Sequence, residues 1–342
     1  MSRQFYGSVL VVLMIFGAII YQALLGSDTF INGAGASFPY PLYSKWIKVY
    51  HSEHPLVKIN YQSIGSGGGI RQVIQGTVDF GATDAPMNEH ELAKANFKVW
   101  HIPTVMGSVV LTYNLPELQE RLQITPEILV AIYLGEIKSW DHPRLVALNP
   151  ELKGNSTYIL PIRRSDGSGT TAIFTDYLSK VSPLWKMEVG SGKSLKWPTG
   201  LGGKGNEGVT GLVKQNHGAI GYVELTYAEA SGLSVAALQN SSGNFVLPTL
   251  NSVSKAAEGI EIPEDYRVSL SNSSHPEAYP IAAFTYMLFP ENISRSKGKE
   301  LKKFMDWAMT EGQDVAADLK YAPLPKTLTT RLRKEVEEIT IN

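Results

Sequence analysis

The chain has 342 residues, which exceeds the usual size of a single hydrophobic core, so we expect two domains of ordinary size. With 43% hydrophobic and 18% charged residues, it has the composition of a globular rather than a disordered protein. Its net charge of -1 gives no electrostatic footprint for nucleic acid, and the absence of cysteine excludes disulfides, thiolate metal sites and a lipid-modified amino-terminal cysteine.

An uncharged, largely apolar stretch runs from Ser8 to Leu25 near the amino terminus. Its length is at the short end for a membrane-spanning helix and slightly long for the core of a signal peptide. We therefore expect residues 1–27 to be either a signal peptide that is removed after export or a retained amino-terminal anchor, with cleavage favoured. In both cases the fold begins near Thr29.

Two turns of small residues follow, each before a predicted helix. In the first, residues 33–39, Ser37 is placed at the helix N-cap and Pro39 at the first helical position. The second, residues 64–69, lies between an alternating strand at 57–61 and a predicted helix at 70–75. An ordinary cap explains each turn taken alone. Glycines also let backbone amides approach a ligand closely, so a repeated pattern of this kind favours a binding site.

Asp84 differs from these turns, which offer hydrogen-bond donors, because it places a negatively charged acceptor, a carboxylate, at the end of the short strand that begins at Val78. A carboxylate accepts hydrogen bonds and cannot donate them, so it suits an anion that still carries a proton. Asp84 would then favour protonated phosphate over fully ionised sulfate. The alternative is that Asp84 only caps the helix after Pro86.

The third turn, residues 163–171, is the strongest candidate for an anion site. A predicted strand, 158–162, delivers Arg164 to the turn, and a predicted helix follows at 172–180. Helix amino termini attract anions, Arg164 can grip an oxyanion through two N–H groups, and Asp166 can hold the guanidinium in place. A helix cap with a surface Arg–Asp pair explains the same residues about equally well.

The rest of the chain fits two lobes of mixed α/β structure, because strands and helices alternate throughout. Strand-like runs at 100–105 and 109–113 predict a first crossing between lobes, and residues 278–281 predict the second. Amphipathic helices are predicted at 297–309 and 327–339.

Seven segments, in order, carry a resemblance to a known family. They are 33–39 (GAGASFP), 64–69 (IGSGGG), 78–86 (VDFGATDAP), 132–141, 163–170 (RRSDGSGT), 196–206 and 218–224. They resemble the ligand-binding segments of the periplasmic phosphate-binding proteins of Pst-type ABC importers, from about residue 32 to about residue 325. The resemblance implies an α/β, two-lobed, type II periplasmic-binding-protein fold with the ligand in the interdomain cleft. It implies that residues 28–104 and 279–342 form a discontinuous lobe I and residues 105–278 form lobe II.

The resemblance also implies the site residues. In the family, phosphate is held without water by backbone amides, hydroxyls, one arginine and one acidic acceptor. The positions of this chain that match the phosphate-binding positions are Ser37, Phe38, Ser66, Asp84, Arg164, Ser168, Gly169 and Thr170. Asp166 matches the acid that supports the arginine. Ser37 stands where threonine is often found, which keeps the hydroxyl group.

The function implied is that of an extracytoplasmic solute-binding protein, which captures inorganic phosphate and delivers it to the permease and ATPase of an ABC importer. We expect a periplasmic monomer with no catalytic residue, no metal site, no cofactor and no nucleic-acid partner.

Two other functions stay open: an enzyme acting on phosphate esters and a membrane-tethered phosphate sensor. The enzyme would need a nucleophile beside a base or a metal cluster, and the sequence offers neither constellation. The G-x-G-x-x-G pattern at 200–205 does not follow a buried strand, so dinucleotide binding is disfavoured.

Overall fold

The computed structural model describes residues 28–341, so the predicted signal or anchor segment lies outside the described residues. The strands are β1 (Thr29–Gly35), β2 (Val57–Ser63), β3 (Phe80–Thr83), β4 (Val99–Tyr113), β5 (Gln123–Ile124), β6 (Leu160–Arg164), β7 (Leu201–Gly203), β8 (Ala219–Glu224), β9 (Ser234–Val235), β10 (Ala237–Gln239), β11 (Phe245–Val246) and β12 (Ala282–Pro290).

The helices are interspersed with these strands along the chain, which confirms the predicted mixed α/β class. They are α1 (Tyr40–Glu53), α2 (Ser66–Ile74), α3 (Glu89–Ala93), α4 (Pro126–Leu134), α5 (Pro143–Val146), α6 (Gly169–Val181), α7 (Pro183–Glu188), α8 (Gly205–Gln215), α9 (Leu225–Ala230), α10 (Leu250–Lys255), α11 (Arg295–Ala308), α12 (Glu311–Asp318) and α13 (Lys326–Glu338). Within residues 28–341, none of the helices combines the length and apolar character needed to cross a membrane.

One long strand, β4, is shared by two groups of strands. Up to Ser108 it pairs antiparallel with β12, and from Val109 onward it pairs antiparallel with β8. The resulting strand order is β2-β1-β3-β12-β4-β8-β6-β7, with β9 also beside β4 and a separate small sheet β11-β10-β5. We call β2, β1, β3 and β12 the first half-sheet and β8, β6 and β7 the second half-sheet.

The chain crosses between the half-sheets at two adjacent places. The strand-like runs predicted at 100–105 and 109–113 are both strand in the structure, and they are joined into the single continuous strand β4. The backbone N–H of Val109 donates to the carbonyl of Ile281 at 2.9 Å, so the second passage lies directly beside the first. The division into lobes at 104/105 and 278/279 stays a prediction.

Two of the helix starts differ from the sequence-based expectation. Helix α1 begins at Tyr40 with Pro39 at its N-cap, and Ser37 makes no cap, because its hydroxyl contacts a distant segment instead. Helix α2 begins at Ser66 rather than at residue 70. The helix contains glycine where a neighbouring backbone packs closely against it. A Cβ atom on Gly69 would lie 2.5 Å from the Cα of Gly35.

The third helix start follows the sequence more closely. Helix α6 begins at Gly169, and the Ser168 hydroxyl caps it by accepting a hydrogen bond from the Thr171 N–H at 3.0 Å. Each of the three turns therefore leads from a strand into a helix. Strands β1, β2 and β3 run parallel to one another, and β6 runs parallel to β8. Because β3 runs in the direction of β4 and β8 runs against it, the carboxyl ends of the two half-sheets face each other near the middle of β4, and these helix starts meet there.

Candidate anion-binding site

Arg164 is the one buried guanidinium of the site, with an exposed fraction of only 3%. Its Nε donates to Oδ1 of Asp166 at 2.7 Å, its Nη2 donates to Oδ2 at 2.6 Å, and its Nη1 donates to Oγ1 of Thr170 at 3.3 Å. Burial opposes ionisation of Asp166, but the hydrogen bonds and charge of Arg164 hold the pKa of Asp166 below its ordinary value. Three of the five N–H groups of Arg164 are engaged, so two remain for an anion.

The amino terminus of α6 lies beside this guanidinium. Ser168, Gly169 and Thr170 are buried there. The first N–H groups of a helix have no acceptor within the helix, and they carry the positive end of its dipole. The amides of Gly169 and Thr170 therefore add directional donors to those of Arg164, without adding net charge.

Asp84 supplies a buried acceptor, with an exposed fraction of 3%. Its Oδ1 accepts from Oγ1 of Thr285 at 2.9 Å, and its Oδ2 lies 3.4 Å from the Oγ of Ser66. Burial raises the pKa of Asp84 to about 7, while Thr285 and the charge of Arg164 act in the opposite direction. This carboxyl group therefore exchanges its proton near neutral pH.

Gly169 brings α6 into contact with Asp84 and Ser66. A Cβ atom at position 169 would lie 2.4 Å from the Ser66 Oγ and 2.5 Å from the Asp84 Oδ2. Such distances are incompatible with any side chain. Glycine is required here because of close approach between the two half-sheets.

Three tyrosine hydroxyls orient the first turn. The carbonyls of Ala36, Ser37 and Phe38 accept from Tyr61 at 2.7 Å, Tyr227 at 2.6 Å and Tyr321 at 2.6 Å, respectively. In a planar trans peptide the C=O and the following N–H point in opposite directions. The N–H groups of Ser37 and Phe38 consequently point away from the hydroxyls of Tyr61 and Tyr227.

Two further buried residues, Asn206 and Glu224, adjoin the site and were missed by sequence reasoning. The Asn206 Nδ2 lies 2.8 Å from the Ser37 Oγ and 3.3 Å from the Thr170 Oγ1. Burial raises the pKa of Glu224 to about 8, and its Oε2 lies 3.0 Å from the Tyr321 hydroxyl. Both residues belong to segments that carry the family resemblance, but no local pattern distinguishes them from ordinary helix and strand residues.

The structure brings all the predicted site residues into one connected cluster. Ser66, Asp84 and Gly169 contact one another, Arg164 contacts Thr170 and Asp166, and Asn206 joins Thr170 to Ser37. Phe38 follows Ser37 directly, and Ser168 precedes Gly169. The cluster offers many donors and one acceptor with a near-neutral pKa, which suits an oxyanion that carries a proton.

The two sides of the cluster are held together by direct contacts. The Gly67 N–H donates to the Gly167 carbonyl at 2.9 Å, and the Lys193 Nζ lies 2.9 Å from the Glu91 Oε2. This is a closed arrangement. Among residues 28–341, no group of three or more His, Asp or Glu side chains is placed to hold a metal ion.

Comparisons with known proteins identify the family of this chain. The family model of the PBP superfamily domain matches residues 22–311. The phosphate-binding protein PstS of Haemophilus influenzae is 45% identical over 309 residues, covering 89% of this chain and 92% of that protein. The phosphate-binding protein PstS of Methanocaldococcus jannaschii is 40% identical over 311 residues, covering 84% of this chain and 80% of that protein.

Solved structures show the same fold. A putative phosphate ABC transporter substrate-binding protein from Clostridium perfringens, with bound phosphate, has a TM-score of 0.63 at 20% identity, covering 87% of this chain and 100% of that chain. The phosphate-bound periplasmic phosphate-binding protein PfluDING has a TM-score of 0.71 at 20% identity, covering 90% and 93%. The predicted α/β, type II periplasmic-binding-protein fold is confirmed. The chain belongs to the PBP superfamily and, within it, to the PstS family of phosphate-binding proteins.

Proposed function

We propose that this protein captures inorganic phosphate outside the cytoplasmic membrane and delivers it to the permease of an ABC importer. Its PstS relatives are named for phosphate binding, and two solved structures of the same fold contain phosphate. The observation that carries the proposal is the cluster itself, in which the buried acceptor Asp84 lies against the helix start that follows Arg164.

Each predicted residue has a role in this proposal. Arg164 directs its two remaining N–H groups at the phosphate oxygens, and the amides of Phe38, Gly169 and Thr170 donate to them. The hydroxyls of the site, Ser37, Ser66, Ser168 and Thr170, complete the hydrogen-bond shell. The ionised Asp84 carboxylate accepts a hydrogen bond from the protonated oxygen of the phosphate. Sulfate carries no proton at neutral pH, so an ionised Asp84 repels it.

Transport requires that the site opens and closes. We propose that residues 28–104 with 279–342 and residues 105–278 move as two lobes about the paired crossings at Val109 and Ile281. The permease, together with its ATPase, would bind the closed form. Export to the periplasm, as a cleaved or membrane-anchored monomer, belongs to the same proposal.

The protein is a binding protein and not an enzyme, as its family membership indicates. The chemistry of the cluster fits this role. The Ser168 hydroxyl accepts the Thr171 N–H, which is a donor and cannot act as a general base, and the Asp166 carboxylate is engaged by Arg164.

The test is calorimetric titration of the protein, freed of bound ligand by unfolding and refolding, with phosphate and then with sulfate. We expect one-to-one phosphate binding and no heat from sulfate. A folded sample that does not bind phosphate would overturn the proposal. Turnover of a chromogenic phosphate ester would replace it with the hydrolase alternative.

A further inference from the structure

The side chain of Asn206 is fully buried at the start of α8, and its orientation is determined by a backbone group. Its Oδ1 accepts from the N–H of Glu224 at 3.0 Å. Because a backbone N–H can only donate, the oxygen of the Asn206 amide faces Glu224 and the Nδ2 group faces the anion site.

The two hydrogens of Nδ2 are directed at two hydroxyls, one from each side of the site. The Nδ2 lies 2.8 Å from the Ser37 Oγ and 3.3 Å from the Thr170 Oγ1. The Ser37 Oγ also accepts from the backbone N–H of Asn206 at 3.2 Å, and the Thr170 Oγ1 also accepts from Nη1 of Arg164 at 3.3 Å.

These contacts determine where the hydroxyl protons go. A hydroxyl oxygen has two lone pairs and one proton, and here both lone pairs of each oxygen receive a hydrogen from a group that cannot accept. The Ser37 and Thr170 hydroxyls are therefore left with only a proton to offer. A ligand bound between them meets two donors and no competing lone pair.

We propose that Asn206 is a positioning residue that sets both hydroxyls as donors to phosphate, an inference that rests on the proposed function. The unprotonated oxygens of phosphate can only accept hydrogen bonds. A hydroxyl group that is free to rotate would point its proton away from them for part of the time. Ser37 follows β1 of the first half-sheet, whereas Asn206 and Thr170 follow β7 and β6 of the second. The orientation of the Ser37 hydroxyl is thus completed only when the two sides close.

Two substitutions of Asn206 test this role by equilibrium binding of radiolabelled phosphate. Asn206→Ala frees both hydroxyls and should weaken phosphate binding about 10- to 100-fold, the range for misdirected hydrogen bonds to a charged group. Asn206→Asp keeps the acceptor for Glu224 but draws both hydroxyl protons away from the ligand, so it should weaken binding further. Asn149→Ala is the matched control. Asn149 is another buried asparagine, bonded to Gln123 away from the site, and its loss should leave affinity unchanged.

A double-mutant cycle separates positioning from a merely structural role. In a Ser37→Ala, Thr170→Val background, Asn206→Ala should cost less than about threefold in affinity, because its two targets are gone. The same loss in both backgrounds would overturn the inference. Unchanged phosphate affinity in a folded Asn206→Asp variant would also overturn the inference. This second variant provides the test if Asn206→Ala does not fold. If the unmodified protein binds no phosphate, the proposed function fails, and this inference fails with it.

Discussion

Arg164 and Asp166 are joined by two parallel hydrogen bonds, from Nε to Oδ1 at 2.7 Å and from Nη2 to Oδ2 at 2.6 Å. The pair compensates the guanidinium charge inside the protein and fixes the plane of the guanidinium group. An anion in this site is consequently held by directed N–H and O–H groups rather than by excess positive charge. This explains how a chain with a net charge of -1 can bind an anion.

Substitution of Arg164 by alanine should weaken phosphate binding by about 2–5 kcal/mol, because it removes two donors and leaves the Asp166 carboxylate unpaired near the anion. Calorimetric titration measures the change. Arg163→Ala is the matched control, since the neighbouring guanidinium contacts the Arg164 carbonyl and makes none of these bonds. A loss of less than threefold for Arg164→Ala would show that the pair is only structural.

Substitution of Asp84 by asparagine should reduce the preference for phosphate over sulfate by at least about tenfold, because the amide can donate a hydrogen bond to an unprotonated oxyanion. Competition of sulfate against labelled phosphate measures the ratio. The Thr285 hydroxyl can still bond the new side chain, so the fold should persist. An unchanged ratio would remove the selectivity role assigned to Asp84.

The stability of the ligand-free protein should fall as the pH rises from 5 to 9. Burial raises the pKa of Asp84 from 3.8 to about 7 and that of Glu224 from 4.5 to about 8, so the folded state favours the protonated carboxyls. Their stabilising contribution is complete below the unfolded pKa values and is lost as the pH rises through 7 and 8. For Asp84 alone the loss between pH 5 and pH 9 is on the order of 3 kcal/mol, since it accumulates only up to the folded pKa of about 7.

Thermal unfolding in phosphate-free buffers at several pH values measures this trend. The Asp84→Asn variant should show a shallower fall than the unmodified protein, because one of the two titrating groups is absent. Melting temperatures that rise toward pH 9, or identical slopes for the two proteins, would contradict the assignment.

Substitution of Gly169 by alanine should abolish tight phosphate binding while leaving the fold intact. Alanine suits the first position of a helix, but its Cβ would lie 2.5 Å from the Asp84 Oδ2 and 2.4 Å from the Ser66 Oγ, so the two sides could not close. Titration with phosphate and the melting temperature are measured together. Gly211→Ala in α8 is the control, because open space surrounds that position. Retained affinity in Gly169→Ala would mean that the site tolerates a wider separation.

Local chemistry was readable from the sequence by itself. Arg164 and Asp166 lie two positions apart, a helix follows the glycine-containing turn after them, and Asp84 directly follows a short strand. Such contacts depend on spacing along the chain and on the preferences of small polar residues for helix starts. The family resemblance supplied the assignment of these residues to one site, and the fold class followed from it.

The tertiary structure decided the contacts between distant segments. Asn206 lies 169 positions from Ser37, and Tyr227 lies 190 positions from it, yet both make hydrogen bonds to it. The single strand β4, read from the sequence as two runs, is likewise defined by its partners β12 and β8. Strand order and helix packing determine which groups meet at such separations. The sequence around a buried asparagine or tyrosine does not show which group it will hydrogen-bond, because the same residue types find different hydrogen-bond partners at other buried positions.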